Sequence, residues 1–235
     1  MHPLLALGRN RRPTSSSPRM LQPVRGGDWV SLLVLIPLLV FILFFIGFFA
    51  GRKSIFRKNL GEAKVANAIS KNHPKPFHLF NNITLKTKNG TTQIDHILVS
   101  PYGIFIIETK HYSHWIFGSP EQEVWTQVHF KMKNRFLNPL KQNQGHLNTL
   151  KKLFKLPNDK FHNIVVFTGD AKFKTDPGPC VIQLFELPKF LSRDRPIVLD
   201  EKKMTYIVGR IEMKRLSRSV ETDEYHINYV QSKLN

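Results

Sequence analysis

The chain has 235 residues and a formal net charge of +18, from 35 Lys+Arg against 17 Asp+Glu. At 41% hydrophobic and 11% aromatic residues it is not a disordered polycation, and one cysteine excludes a disulfide framework or a multi-cysteine zinc site. A basic excess of this size points to a polyanion, either nucleic acid, an anionic membrane face, or both.

Residues 1–28, with Ser15, Ser16, Ser17 and four prolines, read as a disordered basic tail. Trp29 to Ala50 then hold no charged residue in 22 positions. As a helix this run is about 33 Å long, against a bilayer core of about 30 Å. Pro37 and Gly47 are tolerated in spanning helices, and Trp29 sits where an interfacial anchor belongs. The run is too long and starts too late for a signal peptide. The expectation is one retained transmembrane helix over 29–50, followed by a basic juxtamembrane linker over 51–58. The two flanks carry five basic residues each, so flanking charge does not set the orientation. The first 58 residues hold nine basic residues and one acidic residue. The remainder is therefore still strongly basic.

From Asn59 the pattern becomes globular. Residues 61–70 have helical spacing, with Val65, Ala66 and Ile69 on one stripe. Strands are expected over 77–86, 92–100 and 103–110, with a type I turn at Ser100-Pro101-Tyr102-Gly103. A more exposed hairpin is expected over 115–133. Asn138-Pro139 opens a helix running to about Phe154. A buried strand follows at 161–168 and another at 180–185. Helices are expected over 200–216 and 223–234. There is no internal repeat, glycine-rich phosphate loop or nucleophile elbow.

Acidic residues interrupt two apolar runs. Asp95 breaks into Ile94 and Ile97-Leu98-Val99, while Glu108 and Lys110 end Ile104-Phe105-Ile106-Ile107. Aspartate is depleted in strands, and buried charge is costly unless paired or metal-bound. If Ser100 faces Gly103, Asp95 lies opposite Glu108, and Lys110 shares the face of Glu108. Like charges so placed repel, and a divalent cation between them would reverse the sign. Such oxygen ligands suit Mg²⁺ or Mn²⁺. A bulge at Gly103 would instead pair Ser100 with Ile104 and turn Asp95 to the other face. A simple Asp–Lys–Glu salt-bridge cluster is the structural alternative.

Thr92-Gln93-Ile94-Asp95-His96, then Gly103-Ile104-Phe105 and Glu108-Thr109-Lys110, resemble the nuclease-related domain (NERD) family. Gly61-Glu62, Trp125-Thr126-Gln127 and Asn138-Pro139-Leu140 with Gln142 and Asn143 extend the similarity over about 60–154. The resemblance implies an α/β fold with a restriction-endonuclease-like αβββαβ core and a mixed sheet, of the PD-(D/E)XK nuclease superfamily. The Pro-Asp dipeptide of that superfamily is absent, since Ile94 precedes Asp95. On this reading residues 59–168 form the core and 169–235 a C-terminal α/β extension. The resemblance implies Asp95 and Glu108 as metal ligands and Lys110 as the third active-site residue. Glu62 would add a carboxylate from the first helix, and Gln142 would reach the site from the second.

With Mg²⁺ or Mn²⁺, this set would hydrolyse phosphodiester bonds, with Lys110 orienting water or stabilising negative charge. Lys131, Lys133, Arg135, Lys141, Lys151, Lys152 and Lys155 would contact DNA phosphates without reading bases. The histidines are poorly grouped. His96 faces away from Asp95, and His111, His114 and His146 read as surface or groove residues. Trp125 reads as core and Cys180 as an inert small hydrophobe. The expectation is a membrane-anchored, metal-dependent nuclease acting on DNA from the cytoplasmic side. The alternatives are a catalytically silent, membrane-tethered nucleic-acid-binding module and a structural membrane protein.

Overall fold

A computed structural model describes residues 27–74, 76–88, 90–217 and 222. The chain divides into two compact units, Met1–Ala50 and Gly51–Asn235. The apolar run lies in helix α1 (Gly27–Asn72), which contains Pro37. Side chains within that run are described for the nine residues 35–43, and they are exposed. Among the described residues no helix is long and apolar enough to cross a membrane. The described residues therefore do not support the spanning helix expected over 29–50. The side chains of 29–34 and 44–50, the tail over 1–26 and the helix expected from Asp223 lie outside them.

The second unit is mixed α/β. Three antiparallel strands come first: β1 (His78–Thr87), β2 (Gly90–Ser100) and β3 (Gly103–Lys110). Next come β4 (His114–Phe117), β5 (Val124–His129) and β6 (Met132–Leu137). Helix α2 (Pro139–Phe154) leads to β7 (Phe161–Phe167), β8 (Ala171–Phe173) and β9 (Val181–Gln183). Two helices complete the described chain, α3 (Leu187–Leu191) and α4 (Glu201–Lys214). The larger sheet has the order β1-β2-β3-β7-β9, with β3, β7 and β9 parallel. The smaller sheet has the order β6-β5-β4-β8.

The larger sheet is covered on both faces. On one, Val65 and Ile69 of α1 pack with Leu98, Phe105 and Ile107. On the other, Leu147 and Leu150 of α2 and Ile207 and Ile211 of α4 pack with Ile97, Val99, Ile104 and Ile106. A strand buried on both faces reads as an unbroken apolar run, which is why 104–107 has no polar alternation.

Three expectations change. The single hairpin over 115–133 is a four-stranded sheet. Most of its third strand, β6, is exposed, so no apolar alternation marks it. The strand expected over 180–185 stops at Gln183, and a capping box between Gln183 and Glu186 turns the chain into a 3-10 turn and then α3. Cys180 is exposed rather than packed.

Two buried asparagines set α2 in place. Asn138 accepts from the Leu140 amide at 2.9 Å and donates to the carbonyls of Ser119, Pro120 and Gln122. It thus caps the helix and ties it to the β4–β5 connection. Asn143 donates to the carbonyls of Ile106 (2.8 Å) and Ile164 (3.0 Å) and to Asn163 Oδ1 (2.7 Å), spanning β3 and β7. Substituting Asn143→Leu should lower unfolding free energy by roughly 1–3 kcal/mol, as buried carbonyls lose their donor. Urea denaturation reads this directly, and an unchanged midpoint would remove Asn143 as an anchor of the helix.

Candidate functional site

The β2–β3 ladder runs from Ser100↔Gly103 to His96↔Ile107. Gly103 takes φ +125°, and a Cβ there would sit 2.9 Å from the Lys160 carbonyl oxygen. This is the register that brings Asp95 to the level of Glu108, and the alternative pairing of Ser100 with Ile104 is not adopted. Beyond His96↔Ile107 a side chain takes over from the main chain. The Thr109 amide donates to Asp95 Oδ2 at 2.8 Å. On the other side of β2 the register passes from Asn81↔His96 to Ile83↔Ile94, and Asn82 between them has φ +54°. Asparagine tolerates that left-handed conformation better than most residues. The irregularity falls at Asp95, where strand order would otherwise force a fixed side-chain direction.

Glu108, Lys110, Gln142 and His146 form one connected group. Lys110 Nζ donates to Glu108 Oε1 at 2.6 Å and to Gln142 Oε1 at 2.9 Å. The other carboxylate oxygen, Glu108 Oε2, lies 3.4 Å from His146 Nε2. His146 Nδ1 shares a hydrogen bond with Thr92 Oγ1 at 2.7 Å. Gln142 and His146 are one helical turn apart, so one face of α2 delivers both. Burial would push the Glu108 carboxyl up, but the Lys110 ammonium and the contact with His146 outweigh it and hold the carboxyl at about 2. Burial would lower the Lys110 ammonium, and the charges of Glu108 and Asp95 raise it instead. Lys110 is therefore a fixed cation at neutral pH.

Glu62 and His96 lie on the α1 side. They line a cavity of about 240 Å³ with Asn59, Ala66, Asn81 and Asn82. Gly61 lets α1 approach the strand ends closely, since a Cβ there would meet Thr168 Oγ1 at 2.8 Å and His111 Cβ at 3.1 Å. Burial lowers His96 to about 4, against the opposing charge of Glu108. It is neutral at physiological pH and hydrogen-bonds Asn81 Oδ1 at 2.7 Å. His111 bonds Thr168 Oγ1, and His114 packs edge-on against His129. The sequence reading underrated His146 and passed over Thr92 as a functional side chain. The spacing of four between Gln142 and His146 was the available signal.

Glu108 Oε2 is buried and has the 3.4 Å contact with His146 Nε2 but no shorter hydrogen bond. The Glu108 carboxylate, and the Asp95 carboxylate whose charge also acts on Lys110, are oxygen donors of the kind a hard divalent cation takes. Asp95, Glu108 and Lys110 together carry one net negative charge, which suits such an ion. Among the described residues no group of three or more His, Cys, Asp or Glu could hold a metal.

Because the Glu108 carboxyl sits below its ordinary 4.5, it stabilises the fold above that pH. The contribution drains away as pH falls towards about 2. In chelator, Glu108→Gln should cost roughly 3 kcal/mol at neutral pH, since it leaves Lys110 without its counter-charge. The gap to the native chain should narrow below pH 4.5. Urea titrations across pH measure it, and a gap independent of pH would contradict the ion pair.

Residues 57–168 match the nuclease-related domain (NERD). The chain is also 37% identical over 125 residues to an uncharacterised protein of Bacillus anthracis. That alignment covers 50% of this chain and 59% of the relative's length. The segment matched to the nuclease-related domain holds α1 from residue 57, β1 to β3, the smaller sheet up to β6, α2 and β7, and with them every residue of the site just described.

Proposed function

We propose that residues 51–235 hydrolyse phosphodiester bonds in DNA, with Mg²⁺ or Mn²⁺ held by Asp95 and Glu108. The observation that carries this reading is the buried Glu108–Lys110–Gln142 group, whose second carboxylate oxygen has the 3.4 Å contact with His146 but no shorter hydrogen bond. The order α1, β1 to β3, α2 and β7 around the larger sheet, with β4 to β6 inserted before α2, supports the reading of a restriction-endonuclease-like core.

A cation bound there supplies charge neutralisation at the phosphate and a lowered pKa for the attacking water. The chain's own residues do the rest. Lys110 has three donors, two of them engaged by Glu108 and Gln142. The third is available to a phosphate oxygen as negative charge develops on it. Gln142 fixes the direction of the ammonium. His146, held by Thr92, keeps the Glu108 carboxylate in one orientation. Glu62 contributes a second acidic wall from the α1 side of Asp95.

Purified protein incubated with DNA and Mg²⁺ or Mn²⁺ should cleave it. Glu108→Ala and Lys110→Ala should each lose at least about a hundredfold in rate, on the scale of one removed electrostatic stabiliser. Cleavage that survives both substitutions would eliminate this site. Metal occupancy has its own readout. Millimolar Mn²⁺ should raise the melting temperature of the native chain and leave Asp95→Asn unmoved, because a ligand that binds the folded state stabilises it. Equal shifts in both proteins would place the ion elsewhere.

A further inference from the structure

A second cavity, of about 610 Å³, lies further along α2. Its walls are the end of the β1–β2 hairpin, the second half of α2 and the chain that leaves α4. Five of its eleven lining residues are basic and none is acidic. Lys86 and Lys88 come from the hairpin, Lys152 from α2, and Lys214 and Arg215 from the end of α4. Arg215 pairs with Glu212 at 2.7 Å, outside the cavity lining. Among the described residues no carboxylate pairs with the four lysines. The wall after α4 is fixed, because Leu216 N donates to the Thr84 carbonyl at 2.8 Å and Arg215 bridges Leu85. Leu85, Leu153 and Leu216 give the cavity an apolar floor, and the exposed Met213 also lines it.

The cavity and the candidate site share one stripe of α2. Gln142, His146, Thr149 and Leu153 follow one another at spacings of four, three and four, which keeps them on one face. The first two belong to the candidate site and the last two line the cavity. Thr92, bonded to His146, lies between them on β2. Lys152 stands about 15 Å along the axis from Gln142. That is four to five nucleotides at about 3.4 Å of rise each.

We propose that this groove binds the phosphate backbone of the nucleic acid strand whose scissile phosphate lies at Lys110. Lys86, Lys88, Lys152 and Lys214 hold phosphates several nucleotides away, and sugar and base faces rest on the apolar floor. This rests on the nuclease reading of the Glu108–Lys110 group, because the helix stripe shared with that group favours a nucleic acid strand over a lipid headgroup. The lysines carry no base-reading geometry, so the added affinity is indifferent to sequence.

The test uses the full chain with Lys86, Lys88 and Lys152 all changed to alanine. Binding of a fluorescent 20-nucleotide single strand is measured in chelator over a range of salt. Hydrolysis of bis(p-nitrophenyl) phosphate with Mn²⁺ is measured in parallel. The affinity should fall at least about tenfold, and the slope of log K against log salt should become shallower by about two, from three lost contacts. Hydrolysis of the small diester should be unchanged, since it never reaches the groove. The corresponding triple lysine-to-arginine variant should bind like the native chain. An unchanged affinity and slope would overturn the proposal, as would weaker binding at an unchanged slope. Loss of binding to phosphatidylserine vesicles with DNA binding intact would also overturn it, in favour of a headgroup site. If the native chain fails to hydrolyse the small diester while the lysines still set DNA affinity and slope, the groove stands and the hydrolytic reading falls.

Discussion

A carboxylate on a central strand, sealed beneath a helix, must be met by charge and hydrogen bonds or it will not ionise. Glu108 imposes that requirement on this domain, and much of the local architecture answers it. Lys110 answers it from the same strand two residues on, where the pleat returns to the same face. Gln142 then fixes the lysine, and His146 stands against the second oxygen. Both depend on the placement of α2, which rests on Asn138 at its cap and Asn143 across β3 and β7. Thr92 reaches back from β2 to hold His146. Removing any one of these leaves a buried polar atom with fewer partners, so the group is expected to behave as a unit.

The second constraint is geometric. Regular pairing would put Asp95 and Glu108 side by side with nothing between them. The Asp95 carboxylate instead accepts the Thr109 amide, so the strands are joined there through a side chain. The two faces of the sheet meet at this point. Glu62 of α1 and His96 line one cavity, and Glu108 and Lys110 meet Gln142 and His146 of α2. Irregularity at a central strand costs ladder hydrogen bonds, and it is tolerated here beside the most highly charged part of the core.

Most of this was legible in the residues because charge in an apolar run is conspicuous. Asp95, Glu108 and Lys110 stand out for that reason, and the turn Ser100–Gly103 sets their register. Asn138-Pro139 announces α2 through its own capping chemistry. What escaped the sequence is what depends on distance in space. His146 looked like one more solvated histidine because its partners, Thr92 and Glu108, lie 54 and 38 positions away. The strand β6 is mostly exposed and carries no apolar alternation. Lys152 was read as a phosphate contact, but Lys86 and Lys88 were not joined to it, because only the folded chain brings the hairpin beside the second half of α2.

The larger sheet also carries a liability in time. On one edge β3 pairs with β2 only a turn away, but on the other it pairs with β7, where Ile104 meets Phe161. During synthesis the segment Ile104-Phe105-Ile106-Ile107 therefore exists before its second neighbour does. Until β7 is made, that edge offers free main-chain groups flanked by large apolar side chains, which is the geometry that recruits strands from other chains. The smaller sheet is inserted into this interval and lengthens it. Fragments ending within or before α2 should therefore tend to self-associate, and successful folding of the native chain depends on β7 reaching β3 before another molecule does.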